Sequence, residues 1–171
     1  QRTDSYGGSP ENRARLVTEV YRAVAEAIGA DRTGIRISPE HNIQDALETN
    51  PGDVLATYTA LVEAIAPLKP AFLSILHQDP SDILVQSLRS SFGGPVLLNS
   101  GFGVITTREE AIAMMEDNLC DGVVVGRPAI ANPDLVRRWQ ENLPLNTPDP
   151  GTFYSEGAAG YTDYPAYAEA V

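Results

Sequence analysis

The feature that most limits what this chain can fold into is a regular exchange of strand-like and helix-like stretches. Four short apolar runs, at residues 34–39, 71–76, 95–101 and 121–127, alternate with segments whose apolar residues recur at helical spacing. Strands separated by helices cannot be joined by hairpins, so the sheet they form must be parallel, with crossover helices. Runs that are apolar nearly throughout read as strands covered on both faces. They repeat every 25–37 residues or so, the length of one strand–helix unit.

Local punctuation places the helices. Ser9-Pro10-Glu11 opens the first, since Ser caps free N–H groups and Pro is tolerated in a first turn. Leu16, Val20, Val24 and Ile28 recur along it, and Gly29 stops it. Asn50-Pro51-Gly52-Asp53 starts a second, with Leu55, Tyr58, Leu61, Val62 and Ile65 on one face. Pro80-Ser81-Asp82 opens a third through Ile83, Leu84 and Leu88. Thr106-Thr107-Arg108-Glu109 begins a fourth, with Ala111, Met114, Met115 and Leu119 inward. Asn132-Pro133-Asp134 caps a last one through Leu135, Val136 and Trp139. Beyond Pro144 the chain reads as an ordered coil whose aromatic residues need something to pack against.

Two things look incomplete in this order. The first helix has no strand before it, and four parallel strands leave two open sheet edges. Four strand–helix units are half of a (β/α)8 TIM barrel. The expectation is an α/β chain whose residues 1–171 form one half of a single barrel domain, the other half being absent. Gln1 in place of a starting Met agrees with an internal point of a longer chain. A doubly wound sheet stays open, but no GxGxxG fingerprint follows any strand.

Composition excludes several function classes. A net charge of −11 speaks against a nucleic-acid surface, which needs clustered Lys and Arg. No apolar run approaches the ~18 residues of a membrane helix, and the polar N-terminus has no signal-peptide pattern. Cys120 is the one cysteine, so no disulfide forms within the chain and a reducing, cytoplasmic setting is expected. With no base near it in sequence, it reads as a packed thiol rather than a nucleophile.

Barrel enzymes build their sites at the carboxyl ends of strands, and the loops after the last two often hold a phosphate. Here those ends read Ser100-Gly101-Phe102-Gly103 and Gly126-Arg127-Pro128. Glycine admits an anion close to backbone N–H groups, and Arg127 adds a permanent charge with a planar donor fork. Turn glycines are the competing reading of either motif alone; their coincidence favours a phosphate site. Arg36 interrupts an apolar strand, where a charge must be paired or must face a ligand carrying negative charge. Both readings stay open. The aromatics at Phe153, Tyr154, Tyr161 and Tyr164 either anchor the tail or flank a planar cofactor. His41 and His77 both follow strands, and neither has partners at metal-ligand spacing.

Taken together these stretches resemble the old yellow enzymes, the FMN-dependent ene-reductases. The matching segments are residues 1–9, 11–15 (Glu-Asn-Arg-Ala-Arg) and 34–39 (Gly-Ile-Arg-Ile-Ser-Pro), then Gly126-Arg127, 130–136, 144–146, 152–154 and 160–165. They keep the family's order from end to end and cover strands five to eight, the C-terminal half of its barrel. The resemblance implies bound FMN, with NADH or NADPH as reductant. It implies reduction of activated C=C bonds in α,β-unsaturated carbonyl compounds, with nitro compounds and nitrate esters as related acceptors. It places Arg36 against the flavin N1/O2 edge, and Gly101, Phe102, Gly126 and Arg127 at the phosphate. Phe153 and Tyr154 border the dimethylbenzene edge, and Ile43 and Tyr154 the substrate mouth. The implied partner is the N-terminal half of the same barrel, which carries the family's carbonyl-binding His pair (or His/Asn) and its proton-donating Tyr. The isolated chain is accordingly expected to be inactive.

There are departures from the family pattern. Many relatives have Asn or Ala where Phe102 stands, Ile43 replaces an aromatic found in some, and the stretch from His77 to Pro80 is short. Two other functions stay open on the residues alone: a flavin-free phosphate-binding barrel lyase or isomerase, and a half-barrel interaction module. The former needs a catalytic Lys or carboxylate at a strand end, and Lys69, the only lysine, precedes a strand.

Overall fold

A computed structural model describes residues 2–101 and 103–168. The chain divides into two units, one of residues 1–101 with 113–123, the other of residues 102–112 with 124–171. Among the described residues no helix is long and apolar enough to cross a membrane.

The first unit holds the sheet. Its strands are β1 (Ile35–Ile37), β2 (Leu73–Leu76), β3 (Val96–Asn99) and β4 (Gly122–Val123), all parallel and in the order β1-β2-β3-β4. Neighbours in sequence are neighbours in space, with no reversal of strand order. A doubly wound sheet reverses its order at a switch point; a barrel does not. The register decides which face is which. Ile35, Leu73 and Val96 stand side by side, as do Ile37, Ile75 and Leu98. The core contains Ile37, Leu73, Ile75, Val96 and Leu98 together with Leu61, Val62, Ile65, Leu84, Val85, Leu88 and Phe92 from α2 (Pro51–Ile65) and α3 (Ile83–Phe92). Because side chains alternate along a strand, the helices cover this face, and Arg36, Ser74 and Leu97 share the opposite one.

The helix starts follow their caps. Ser9 Oγ accepts from Asn12 N–H at 3.3 Å, Asn50 Oδ1 from Gly52 and Asp53 N–H at 3.1 and 3.3 Å, and Asp82 Oδ1 from Leu84 N–H at 2.7 Å. The Asn50→Ala variant should therefore lose about 1 kcal/mol of stability, read as a lower urea midpoint at unchanged slope.

The inward face of α1 (Pro10–Ile28) differs from the apolar stripe in the sequence. Ala14, Thr18 and Tyr21 are buried, whereas Leu16, Val20, Val24 and Ile28 are exposed. The helix packs chiefly on α2. It is held there by Arg13, which donates to Thr57 Oγ1 at 2.8 Å and to Asp53, and by Tyr21, whose hydroxyl donates to the Thr33 carbonyl at 3.1 Å. Small side chains at positions 14 and 18 allow that close approach; the larger stripe points elsewhere. Leu55, expected on one apolar helix face, is exposed, as are Ile83 and Val136; Met115, expected inward, is exposed where Met114 beside it is buried. Cys120 is a packed thiol: it is 3% exposed, and burial pushes its pKa up.

The second unit is mostly helix starts and tail. The helix α4 (Arg108–Glu116) begins in it and ends in the first unit. The run expected to be one strand through Arg127 stops early, since β4 ends at Val123 and Arg127 is already the first residue of α5 (Arg127–Ala131). The reason is local: Pro128 donates no N–H to a ladder but suits a first helical turn. After α6 (Leu135–Glu141) the tail contains a single 3-10 turn, Pro150–Thr152.

Candidate functional site

Strands β3 and β4 pair with Leu98 opposite Val123. Three residues beyond each member of that pair stand Gly101 and Gly126. Gly101 has φ +113°, a conformation L side chains rarely adopt, and a Cβ built there meets no atom nearer than 3.9 Å. A Cβ on Gly103 or Gly126 meets nothing within 4 Å. Ahead of Gly101, the buried side-chain oxygens Asn99 Oδ1 and Ser100 Oγ have no hydrogen-bond partner among the described residues. Buried polar atoms in that condition are uncommon and each needs an explanation. Open backbone beside orphaned polar oxygens, at the carboxyl end of a parallel strand, suits an anionic, hydroxyl-bearing group such as a ribityl phosphate.

In the second unit, Arg127 is partly buried and its Nη1 donates to the Val104 carbonyl at 3.4 Å. Phe102 lies outside the described residues. Phe153 follows the 3-10 turn and is partly buried, and Tyr154 is fully exposed.

Arg36 is exposed and stands on the sheet face away from the helices. Beyond β1, residues 38–48 form a compact loop in which Ile43 is exposed and pairs with Ala46 in an isolated bridge. A cleft of about 180 Å³ opens beside it, lined by Pro39, Glu40, His41, His77, Gln78 and Asp79, so both histidines lie at the carboxyl ends of β1 and β2. His77 is buried; its Nε2 is 3.4 Å from Glu40 Oε2, and its Nδ1 is 2.8 Å from the Asp79 carbonyl and 3.1 Å from its amide. Asp79 takes the N–H and hydroxyl of Ser81 at 2.8 and 2.6 Å, and the Ser81 hydroxyl above all draws its pKa down. These are loop and helix-start contacts. Among the described residues no His, Cys, Asp and Glu group has the makings of a metal site.

What holds the tail was not apparent from the sequence. Of its aromatics, Tyr154 and Tyr161 are exposed. The anchor is Arg138, 3% exposed, which donates to Asp134 Oδ1 at 2.6 Å and to the carbonyls of Pro144 at 2.6 Å and Pro165 at 2.9 Å. Its guanidinium also lies over the Tyr167 ring, 5.9 Å from the centroid. Asn146 adds bonds to the carbonyls of Ala131 and Pro165, both at 2.8 Å. The available signal was the spacing of Asp134 and Arg138, four apart and on one helix face.

Residues 1–146 match the model of the NADH:flavin oxidoreductase / NADH oxidase family. The chain belongs to that family. It is 41% identical over 168 residues to a "probable flavin mononucleotide-dependent alkene reductase" of Leishmania infantum, covering 96% of this chain and 44% of that protein. It is 37% identical over 176 residues to a "putative 12-oxophytodienoate reductase 3" of Oryza sativa subsp. japonica, covering 98% and 45%. Among solved structures, an old yellow enzyme homologue from Zymomonas mobilis superposes with a TM-score of 0.85 at 34% identity, covering 98% of this chain and 47% of that one. The old yellow enzyme of Trypanosoma cruzi gives 0.83 at 34% identity, covering 98% and 44%. The chain thus spans a little under half the length of the relatives it matches. Its four sequential parallel strands with their helices are half of a (β/α)8 TIM barrel of the old yellow enzyme kind.

Proposed function

We propose that residues 1–171 are the C-terminal half, strands five to eight, of one FMN-binding barrel domain. In the intact protein this half supplies the phosphate end and the N1/O2 side of the flavin site. The observation that carries the reading is Gly101, open and at positive φ directly after the orphaned oxygens of Asn99 and Ser100 at the carboxyl end of β3; Gly126 and Arg127 join it by their sequence position beyond β4 and by the family pattern. Backbone N–H groups at Gly101 and Gly126, with the Arg127 fork, would hold the phosphate. Phe102 would add a backbone contact, and Phe153 and Tyr154 would flank the ring's dimethylbenzene edge.

FMN held there would supply hydride transfer from NADH or NADPH to an electron-poor alkene; one relative is named a flavin mononucleotide-dependent alkene reductase. The chain's own part is orientation and charge. Arg36, exposed on the sheet face away from the helices, would hold a cation where negative charge accumulates at the N1/O2 edge. Ile43 and Tyr154 would border the entrance for an enone-type acceptor. The groups that grip the acceptor's carbonyl and return a proton belong to the N-terminal half. A lyase or isomerase that uses a lysine is disfavoured, because Lys69 follows a 3-10 turn at the amino end of β2, the wrong end for a barrel site.

Titrating the purified full-length protein with FMN tests the reading directly. Stoichiometric binding with quenching of flavin fluorescence is expected, and no binding would overturn it. Replacing Arg36 with Met should leave FMN affinity nearly intact but lower the flavin reduction potential, by roughly 20 mV for a contribution of about 1 kcal/mol. An unchanged potential would make Arg36 a structural charge only.

A further inference from the structure

The loop 38–48 holds an improbable conformation and is tied to the core by one residue. Glu40, Gln44 and Asp45 all have positive φ, at 60°, 53° and 63°. For non-glycine residues this conformation is disfavoured, and it persists only where surrounding contacts impose it. Backbone bonds shape the loop from within, Asn42 N–H to the Glu40 carbonyl at 3.2 Å and Ala46 N–H to the Ile43 carbonyl at 3.0 Å, and the contacts that tie it to a helix of the core converge on Glu48. Its Oε2 accepts the Glu40 N–H at 2.6 Å, its Oε1 accepts the Tyr58 hydroxyl of α2 at 2.9 Å, and its own N–H donates to Asn42 Oδ1 at 2.5 Å. Tyr58 is partly buried, and burial together with the adjacent Glu48 charge raises its pKa, so at neutral pH it stays a hydroxyl donor. Glu48 thereby ties the loop to a helix of the core. Glu40, fixed at its backbone by Glu48, in turn places its carboxylate 3.4 Å from His77 Nε2, across the 180 Å³ cleft.

We propose that Glu48 is a positioning residue for substrate selection: through Glu40 it sets the Glu40–His77 wall of the cleft at the carboxyl ends of β1 and β2, which receives part of the acceptor substrate. This rests on the ene-reductase reading, which puts those strand ends at the substrate mouth. Neither Glu48 nor Tyr58 touches the reacting atoms. Their effect is on which acceptors fit, because a loop released from its latch relaxes toward ordinary backbone and carries Glu40 away from His77.

The test uses the full-length protein with FMN bound, in wild-type form and as Glu48→Ala, Glu48→Gln and Tyr58→Phe. Glu48→Ala should speed hydrogen exchange of the Glu40 amide at least tenfold, the loss expected when a charge-assisted bond is removed. It should raise KM for a bulky cyclic enone by about tenfold, with little change for a small acyclic one and little in kcat. Glu48→Gln should restore both properties, since Gln accepts from the Glu40 N–H while donating to the Tyr58 oxygen. Tyr58→Phe, which keeps the ring packed, should fall between the two and stands in for Glu48→Ala if that variant does not fold. Unchanged exchange, or faster exchange with no change in the ratio of KM values, overturns the proposal while FMN affinity stays at the wild-type value. A wild-type protein that binds no FMN overturns the cofactor reading, and this proposal with it.

Discussion

Replacing Arg138 with Ala should destabilise the protein by about 3–5 kcal/mol, the usual effect of removing one partner of a buried ion pair. The side chain is 3% exposed and makes three short hydrogen bonds, to Asp134 Oδ1 and to the carbonyls of Pro144 and Pro165. Alanine leaves all three acceptors without that donor and opens the space the guanidinium filled. Two of the acceptors lie in the tail, so the loss should be local first. Limited proteolysis should release the segment beyond residue 144 before the rest of the chain melts. Lysine is a poor substitute, because one ammonium cannot span the three directions of the planar fork. The pH dependence follows from Asp134. Its pKa is drawn down, first by the Tyr167 N–H and then by Arg138. A carboxyl depressed in the folded state stabilises that state above its unfolded pKa and ceases to do so as pH falls through the folded value. Resistance of the tail to protease should therefore hold through neutral and mildly acidic pH and fail only below the ordinary aspartate range near 3.9. A tail that stays resistant in Arg138→Ala would show the anchor to lie elsewhere.

The second large effect concerns the cofactor. In the full-length protein, Arg127→Ala should weaken FMN binding about 10–150-fold, the equivalent of roughly 1.5–3 kcal/mol for a hydrogen bond to a charged group. Arg127 opens α5 directly after Gly126, and its Nη1 donates to the Val104 carbonyl at 3.4 Å. Melting temperatures of the flavin-free variant and the flavin-free wild type separate any effect on folding from the loss of affinity. Arg127→Lys should recover only part of the affinity, since an ammonium meets phosphate as a point charge and not as a fork. Because the phosphate contact is electrostatic, the gap between wild type and variant should narrow as salt is raised. Equal FMN affinity in wild type and Arg127→Ala would remove the phosphate assignment.

Much of the candidate site was legible because it is made of strand ends. Glycine after an apolar run, a lone Arg within one, and Gly-Arg after another are local patterns, and the parallel topology that gives them meaning follows from the alternation of strands and helices. The latch at Glu48 was not legible. Its partners are Glu40, eight residues back, and Tyr58, a full loop ahead on α2, and no sequence period links the three.

The sequence by itself determined the order of elements and most of their starts. Caps such as Ser9, Asn50 and Asp82 act on N–H groups two or three residues away, and runs such as Leu73–Leu76 carry their apolar character within four residues. Information of that range is complete in a short stretch of chain. Only the tertiary structure decided which stripe of α1 turns inward, because Ala14 and Thr18 are chosen by the closeness of α2 and not by their own hydrophobicity. It also decided that the tail hangs on Arg138, with the Tyr167 ring beneath its guanidinium. A buried guanidinium is stable only where acceptors from several distant segments converge on it, and which segments converge is a property of the folded chain.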